Sequence, residues 1–119
     1  MPNPPCEYVL PSLDYIVEIG DGVLVSLWYA RGPSRECRTV EALITTPYGL
    51  PAGSNCYVKV ERNYRDPGTG ENDRVYAGIP VGGDHAYTRD LYDAGVSSYA
   101  WGYCAIPGRP VVQGGTPSY

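Results

Sequence analysis

The sequence predicts an all-β domain: a single antiparallel β-sandwich of about seven strands with an extended arm at each end. Three observations carry this. Runs rich in β-branched and aromatic residues recur at roughly 10 to 15 residues, the spacing of short strands joined by turns. Gly and Pro, fifteen and twelve of the 119 residues, fall between those runs and punctuate them. No stretch long enough for a helix keeps a 3.6-residue apolar period without a breaker. A chain of this length supports one core, so one domain is expected.

Taken in order, residues 1–5, with "PNPP", form an extended, polyproline-like arm. The sandwich spans 6–107. Within it "DYIVEIGDGVLVSLWYA" reads as a hairpin, because Gly20-Asp21-Gly22 accepts the positive φ of a tight turn. In the second arm Val23, Val25, Leu27 and Tyr29 share one face, with Leu24 and Trp28 on the other. Two apolar faces imply a central strand covered on both sides. "RTVEALITT" is the next strand, and "CYVKVERNY" follows with Val58 and Val60 alternating against Lys59 and Glu61, a strand with one wet face. "RDPGTGENDR" is a polar turn, and "VYAGIPV" is a short strand that Pro80 confines to an edge or an end. "PGRPVVQGGTPSY" closes the chain, and residues 108–119 are expected to lie outside the sandwich as an extended tail.

The strand "SSYAWGYCAI" places Tyr99, Trp101 and Tyr103 on one face and Ala100, Gly102 and Cys104 on the other. Two readings follow. Turned inward, the aromatics are core. Turned outward they form a contact surface, since Tyr and Trp dominate interfaces and stack on sugars, and the small face then lets another sheet approach closely. The overall inventory of twelve Tyr, two Trp and no Phe suits faces that meet water at their rims. Trp28, Tyr29 and Arg31 form a second candidate contact group.

Cys6, Cys37, Cys56 and Cys104 include no close pair of the C-x-x-C kind, which argues for disulfides, with buried free thiols as the main alternative and a metal least supported. Cys6 with Cys37 and Cys56 with Cys104 is the favoured connectivity. Such bridges belong to oxidising places, an extracellular space or a particle surface. The formal charge is −4 and nine basic residues are scattered singly, which speaks against a nucleic-acid partner. No apolar run is long enough to cross a membrane as a helix, and "MPNPPCEYVL" lacks the charged and apolar regions of an export leader.

Catalytic constellations are sparse. His85, the only histidine, has no nucleophile or orienting acid at a recognisable spacing, and it reads as a solvated loop residue. Carboxylate pairs such as Asp90 with Asp93 are expected by chance among thirteen acids. Asp66, Glu71 and Asp73, with Asn72, share one Gly-rich turn and form a calcium candidate, but the D-x-D-x-D-G pattern is missing. Gly82-Gly83 lacks the Lys-Ser/Thr and helix of a phosphate loop. No enzyme activity, metal or cofactor is expected.

"LYDAGVSSYAWGYC" resembles the approach to the penultimate strand of fibronectin type III and immunoglobulin-like domains, with Leu91, Asp93, Gly95 and Tyr99 at the places of the corner motif. It departs from the immunoglobulin pattern because Tyr103 adjoins Cys104. The resemblance implies a sandwich and no particular ligand. "WYARGPSREC" and "CYVKV" are similar in spacing to small amylase inhibitors of the tendamistat type, disulfide-linked sandwiches, although the inhibitory Trp-Arg-Tyr triplet is absent.

These readings together lead to a non-enzymatic structural or interaction protein, a component of an extracellular particle such as a phage virion, in a capsid-decoration or tail-accessory role. Its expected partners are other protein subunits, with carbohydrate as a second candidate, and no nucleic acid and no membrane. A secreted binding module or an inhibitor of a glycosidase or protease is the alternative.

Overall fold

The computed structural model describes residues 6–32, 37–63, 73–92 and 96–119. It is all-β, with ten strands among the described residues arranged in two antiparallel sheets. β1 (Glu7–Leu10), β2 (Ile16–Gly20), β3 (Val23–Arg31), β4 (Thr39–Thr45), β7 (His85–Tyr87) and β8 (Leu91–Tyr92) form the first. The second runs in the order β10 (Val112–Gly115), β9 (Ser98–Ala105), β5 (Asn55–Arg62), β6 (Arg74–Gly78).

The strand count exceeds the expected seven because two rows of the first sheet are each broken in two and the C-terminal segment adds β10. β1 and β2 pair with successive parts of β3, interrupted by Pro11 and a single 3-10 turn at Leu13–Tyr15. β7 and β8 pair with successive parts of β4. Between them Thr88 keeps the ladder going: its N–H donates to the Ala42 carbonyl at 2.9 Å, and its hydroxyl accepts the Ala42 N–H at 3.0 Å.

The hairpin turn forms as read, with Gly20, Asp21 and Gly22 at φ 134, 57 and 77°. Asp is one of the few side chains that tolerates this region. β3 is central, but it is fully covered on one face only. Val23, Val25 and Leu27 are buried inward, whereas Leu24 on the outer face stays 39% exposed.

The core lies between the sheets. Val40, Ala42 and Ile44 of β4 join the β3 residues and face Val58, Val60 and Val75 of the second sheet. Each such Val, Leu or Ile side chain, taken from water to full burial, contributes about 1.5–3 kcal/mol. Gly102 and Ala100 of β9 also face inward, and a methyl group built on Gly102 would overlap Val25 Cγ2 and sit 3.4 Å from Ile44 Cδ1. The large residues of β3 and β4 therefore fill the gap between sheets and leave β9 room for small ones.

Both disulfides form, with the connectivity favoured by the spacing. Cys6–Cys37 ties the start of β1 to the chain entering β4, and Cys56–Cys104 links directly opposite residues of β5 and β9. In the chain-entropy model, loops of this length are worth about 3–4 kcal/mol each. The bridges point to an oxidising environment. Among the described residues no helix is long and apolar enough to cross a membrane.

Sequence alone places residues 108–119 outside the sandwich; the structure builds them into it. Val112–Gly115 pairs with Trp101–Cys104 as β10, and Val112 packs against the core. Thr116 repeats the device of Thr88, its N–H donating to the Ala100 carbonyl and its hydroxyl accepting the Ala100 N–H at 3.1 Å. Tyr119 exchanges backbone hydrogen bonds with Ser98, and its ring meets Tyr15 and Tyr29 at 5.6 and 5.2 Å. The 1–5 arm lies outside the described residues.

Candidate functional site: the aromatic face of the second sheet

Because Ala100, Gly102 and Cys104 point into the core, pleating turns Tyr99, Trp101 and Tyr103 outward. They are half-buried rather than enclosed. Register then assembles a larger surface than one strand supplies. Starting from the Cys56–Cys104 pair, antiparallel pairing sets Tyr57 opposite Tyr103, Lys59 opposite Trp101 and Glu61 opposite Tyr99. β6 adds Tyr76 opposite Lys59, and Arg74 opposite Glu61.

The rings pack against one another across the strands. Tyr57 stacks on Tyr103 with centroids 5.2 Å apart and planes 22° from parallel. Tyr57 also meets Tyr76 at 6.1 Å and Trp101 at 6.4 Å. Trp101 lies over Gly115 of β10, where a methyl group would come 3.0 Å from Trp101 Cδ1. That glycine makes a flat bed for the indole. Cross-strand aromatic pairs of this kind contribute about 0.2–1 kcal/mol each, far less than a core position.

Lys59 sits amid the rings. Its ammonium is 5.7 Å from the Tyr99 centroid and 5.6 Å from that of Trp101, and it pairs with Glu61 at 3.0 Å. Partial burial works against the charge, but the hydrogen bond to Glu61 and nearby negative groups outweigh it and raise the Lys59 pKa. Lys59 stays protonated. The face thus combines five aromatic side chains with a Lys–Glu–Arg row at the outer surface of a sheet.

The second predicted group does not come together. Trp28 faces outward from the first sheet, donating its indole N–H to the Ser26 hydroxyl at 3.0 Å. Tyr29 turns the other way, against the core and Tyr119. Arg31 is exposed at the end of β3. Of the calcium candidates Asp66 and Glu71 lie outside the described residues, and Asp73 pairs with Arg74 at 3.4 Å. His85 is exposed beside Asp84 at 2.9 Å, and their hydrogen bond lowers the Asp84 pKa. Asp90 lies inside the described residues and Asp93 outside. Of the fibronectin-like corner, Leu91 is fully buried in β8 and Tyr99 projects from β9, while Asp93 and Gly95 lie outside the described residues.

Sequence reasoning missed Tyr57, Lys59 and Tyr76 as members of the face. The signal was available: extending an antiparallel ladder outward from the favoured Cys56–Cys104 pair puts Tyr57 beside Tyr103.

Fold and surface together define a disulfide-linked antiparallel β-sandwich with an aromatic outer face. The chain matches no protein-family model, no curated protein and no solved structure.

Proposed function

We propose that this chain is a non-catalytic structural subunit of an extracellular particle, such as a phage capsid-decoration or tail-accessory protein, and that it docks on neighbouring copies of itself through the aromatic face of β5, β6 and β9. The observation that carries this is the inversion of β9, with small residues in the core and Tyr99, Trp101 and Tyr103 outside. Burying Tyr and Trp at an interface gains large area for little lost side-chain freedom. Protein is favoured over sugar as the partner because a sugar needs an open ring face, and Tyr57 and Tyr103 each turn one face to the other. A second copy suits the charges: Lys59 and Arg74 beside Glu61 make a mixed row that an antiparallel copy can meet with opposite sign. Two disulfides and an acidic net charge fit a protein that persists outside a cell.

Light scattering after size exclusion tests the reading. The wild type should show a mass above the monomer that rises with concentration. Tyr76→Glu, at a side chain 56% exposed, should return it to the monomer with an unchanged unfolding temperature. A wild type that stays monomeric at millimolar concentration, or a Tyr76→Glu protein that associates like the wild type, contradicts the proposal.

A further inference from the structure

The outer face of the first sheet carries a different feature. Trp28 lies directly opposite Glu41, and Leu43 opposite Tyr87, so all four side chains leave the same side of the sheet. They line a pocket of about 170 Å³. That is too small for a drug-sized ligand, and of the size to take one side chain. Its walls are almost wholly apolar, yet its lining includes Glu41, which is only 3% exposed.

The carboxyl is held in place from behind. Glu41 Oε1 accepts the Tyr8 hydroxyl at 2.9 Å, and the Tyr8 ring stands edge-on to Trp28 with centroids 5.4 Å apart. The negative charge of Asp90 also acts on Glu41, and Asp90 Oδ1 is buried with no hydrogen-bond partner among the described residues. Burial first, and then the charge of Asp90, raise the Glu41 pKa against the opposing hydrogen bond from Tyr8. A buried carboxyl that feels a second negative charge favours a proton or a cation beside it.

We propose that this pocket binds the guanidinium of an arginine side chain presented by a partner protein, held between the Trp28 and Tyr87 rings with its charge against Glu41. An uncharged apolar guest would satisfy the walls but bring no donor to the carboxyl beyond the Tyr8 hydroxyl it already accepts. A guanidinium on an aliphatic stem satisfies both. It is preferred to an ammonium because it is planar, weakly hydrated, stacks on aromatic rings and carries several N–H donors for carboxylates. The acidic net charge favours approach of a basic segment. The site lies on the opposite sheet from the aromatic face and does not depend on its role.

Two small probes of the same shape, one cationic and one neutral with a carbonyl oxygen in place of one amino group, decide the matter. N-propylguanidinium and its neutral isostere N-propylurea would be titrated into the full chain, with the Trp28 indole N–H followed by NMR and distinguished from Trp101 by a Trp101→Phe sample. The guanidinium should shift the Trp28 signal saturably, with an affinity at least tenfold above that of the urea. Glu41→Gln should bring the two probes to similar affinity. Should that variant fail to fold, Leu43→Trp, which fills the pocket from a half-buried position, should abolish the Trp28 response. Equal affinity of both probes for the wild type, or no saturable shift from the guanidinium, overturns the proposal.

Discussion

Gly102→Ala adds one methyl group to the inner face of β9, and its cost follows from what that methyl meets. It would overlap Val25 Cγ2 and press on Ile44 Cδ1, and both Val25 and Ile44 are completely buried. Neither can swing into solvent. Overpacking of a tight core costs about 1–3 kcal/mol, while Ala in place of Gly in a regular strand returns about 0.5–1 kcal/mol. The net is about 1–2 kcal/mol. Unfolding entropy for a chain of this length converts that to a drop of roughly 4–8 °C in Tm. Trp101→Ala, on the opposite face of the same strand, should cost about 1 kcal/mol, below the 3–5 kcal/mol of a buried aromatic. Thermal unfolding by circular dichroism reads both. Val25→Ala, which makes room for the new methyl, should combine with Gly102→Ala less than additively by about 1 kcal/mol. A Gly102→Ala protein with wild-type Tm, beside a Trp101→Ala protein that loses 3 kcal/mol or more, would mean that the strand faces are reversed.

Three further outcomes follow from the same structure. Thr116→Val leaves the buried Ala100 N–H without its acceptor, so chemical denaturation should show a loss of about 1–3 kcal/mol; an unchanged midpoint would show that the C-terminal strand is dispensable. Replacing Cys56 and Cys104 together by Ala should lower stability by about 2–5 kcal/mol on the same assay, and the wild-type intact mass should lie about 4 Da below its reduced mass for two bridges. Glu41, buried and beside the charge of Asp90, has a folded pKa above the ordinary 4.5 despite the hydrogen bond from Tyr8. The native state therefore holds its proton longer than the unfolded chain, and stability falls as pH rises from 4.5 toward the folded value. Glu41→Gln should remove that decline, so wild-type Tm should drop relative to the variant with rising pH; parallel profiles would refute this.

The sandwich was legible because its determinants are local. Alternation in Val58-Lys59-Val60-Glu61, positive-φ residues at 20–22 and widely spaced cysteines each declare themselves within a short window. The orientation of β9 was not, since hydrophobicity alone turns Tyr and Trp inward as readily as Ala and Gly. What decides it is volume supplied from elsewhere, by Val25 and Ile44 across the core. β10 escaped notice for a related reason: "VVQGG" has no alternation, and it is held by backbone pairing, the Thr116 hydroxyl and the bed Gly115 makes for Trp101. Nothing in the sequence marks Glu41 as buried. Its burial comes from Tyr8, Trp28 and Tyr87, brought to it by three other strands.

The central claim, that the outer face of β5, β6 and β9 is the surface through which copies assemble, is tested most directly by hydroxyl-radical footprinting of the wild type at low and high concentration. Each ring is read separately by peptide mass. Association should protect Trp101, Tyr57, Tyr76 and Tyr103 several-fold, while Trp28 and Tyr87 on the opposite sheet keep their labelling. Equal labelling of Trp101 and Tyr76 in dispersed and associated protein, or protection confined to Trp28 and Tyr87, would contradict the account.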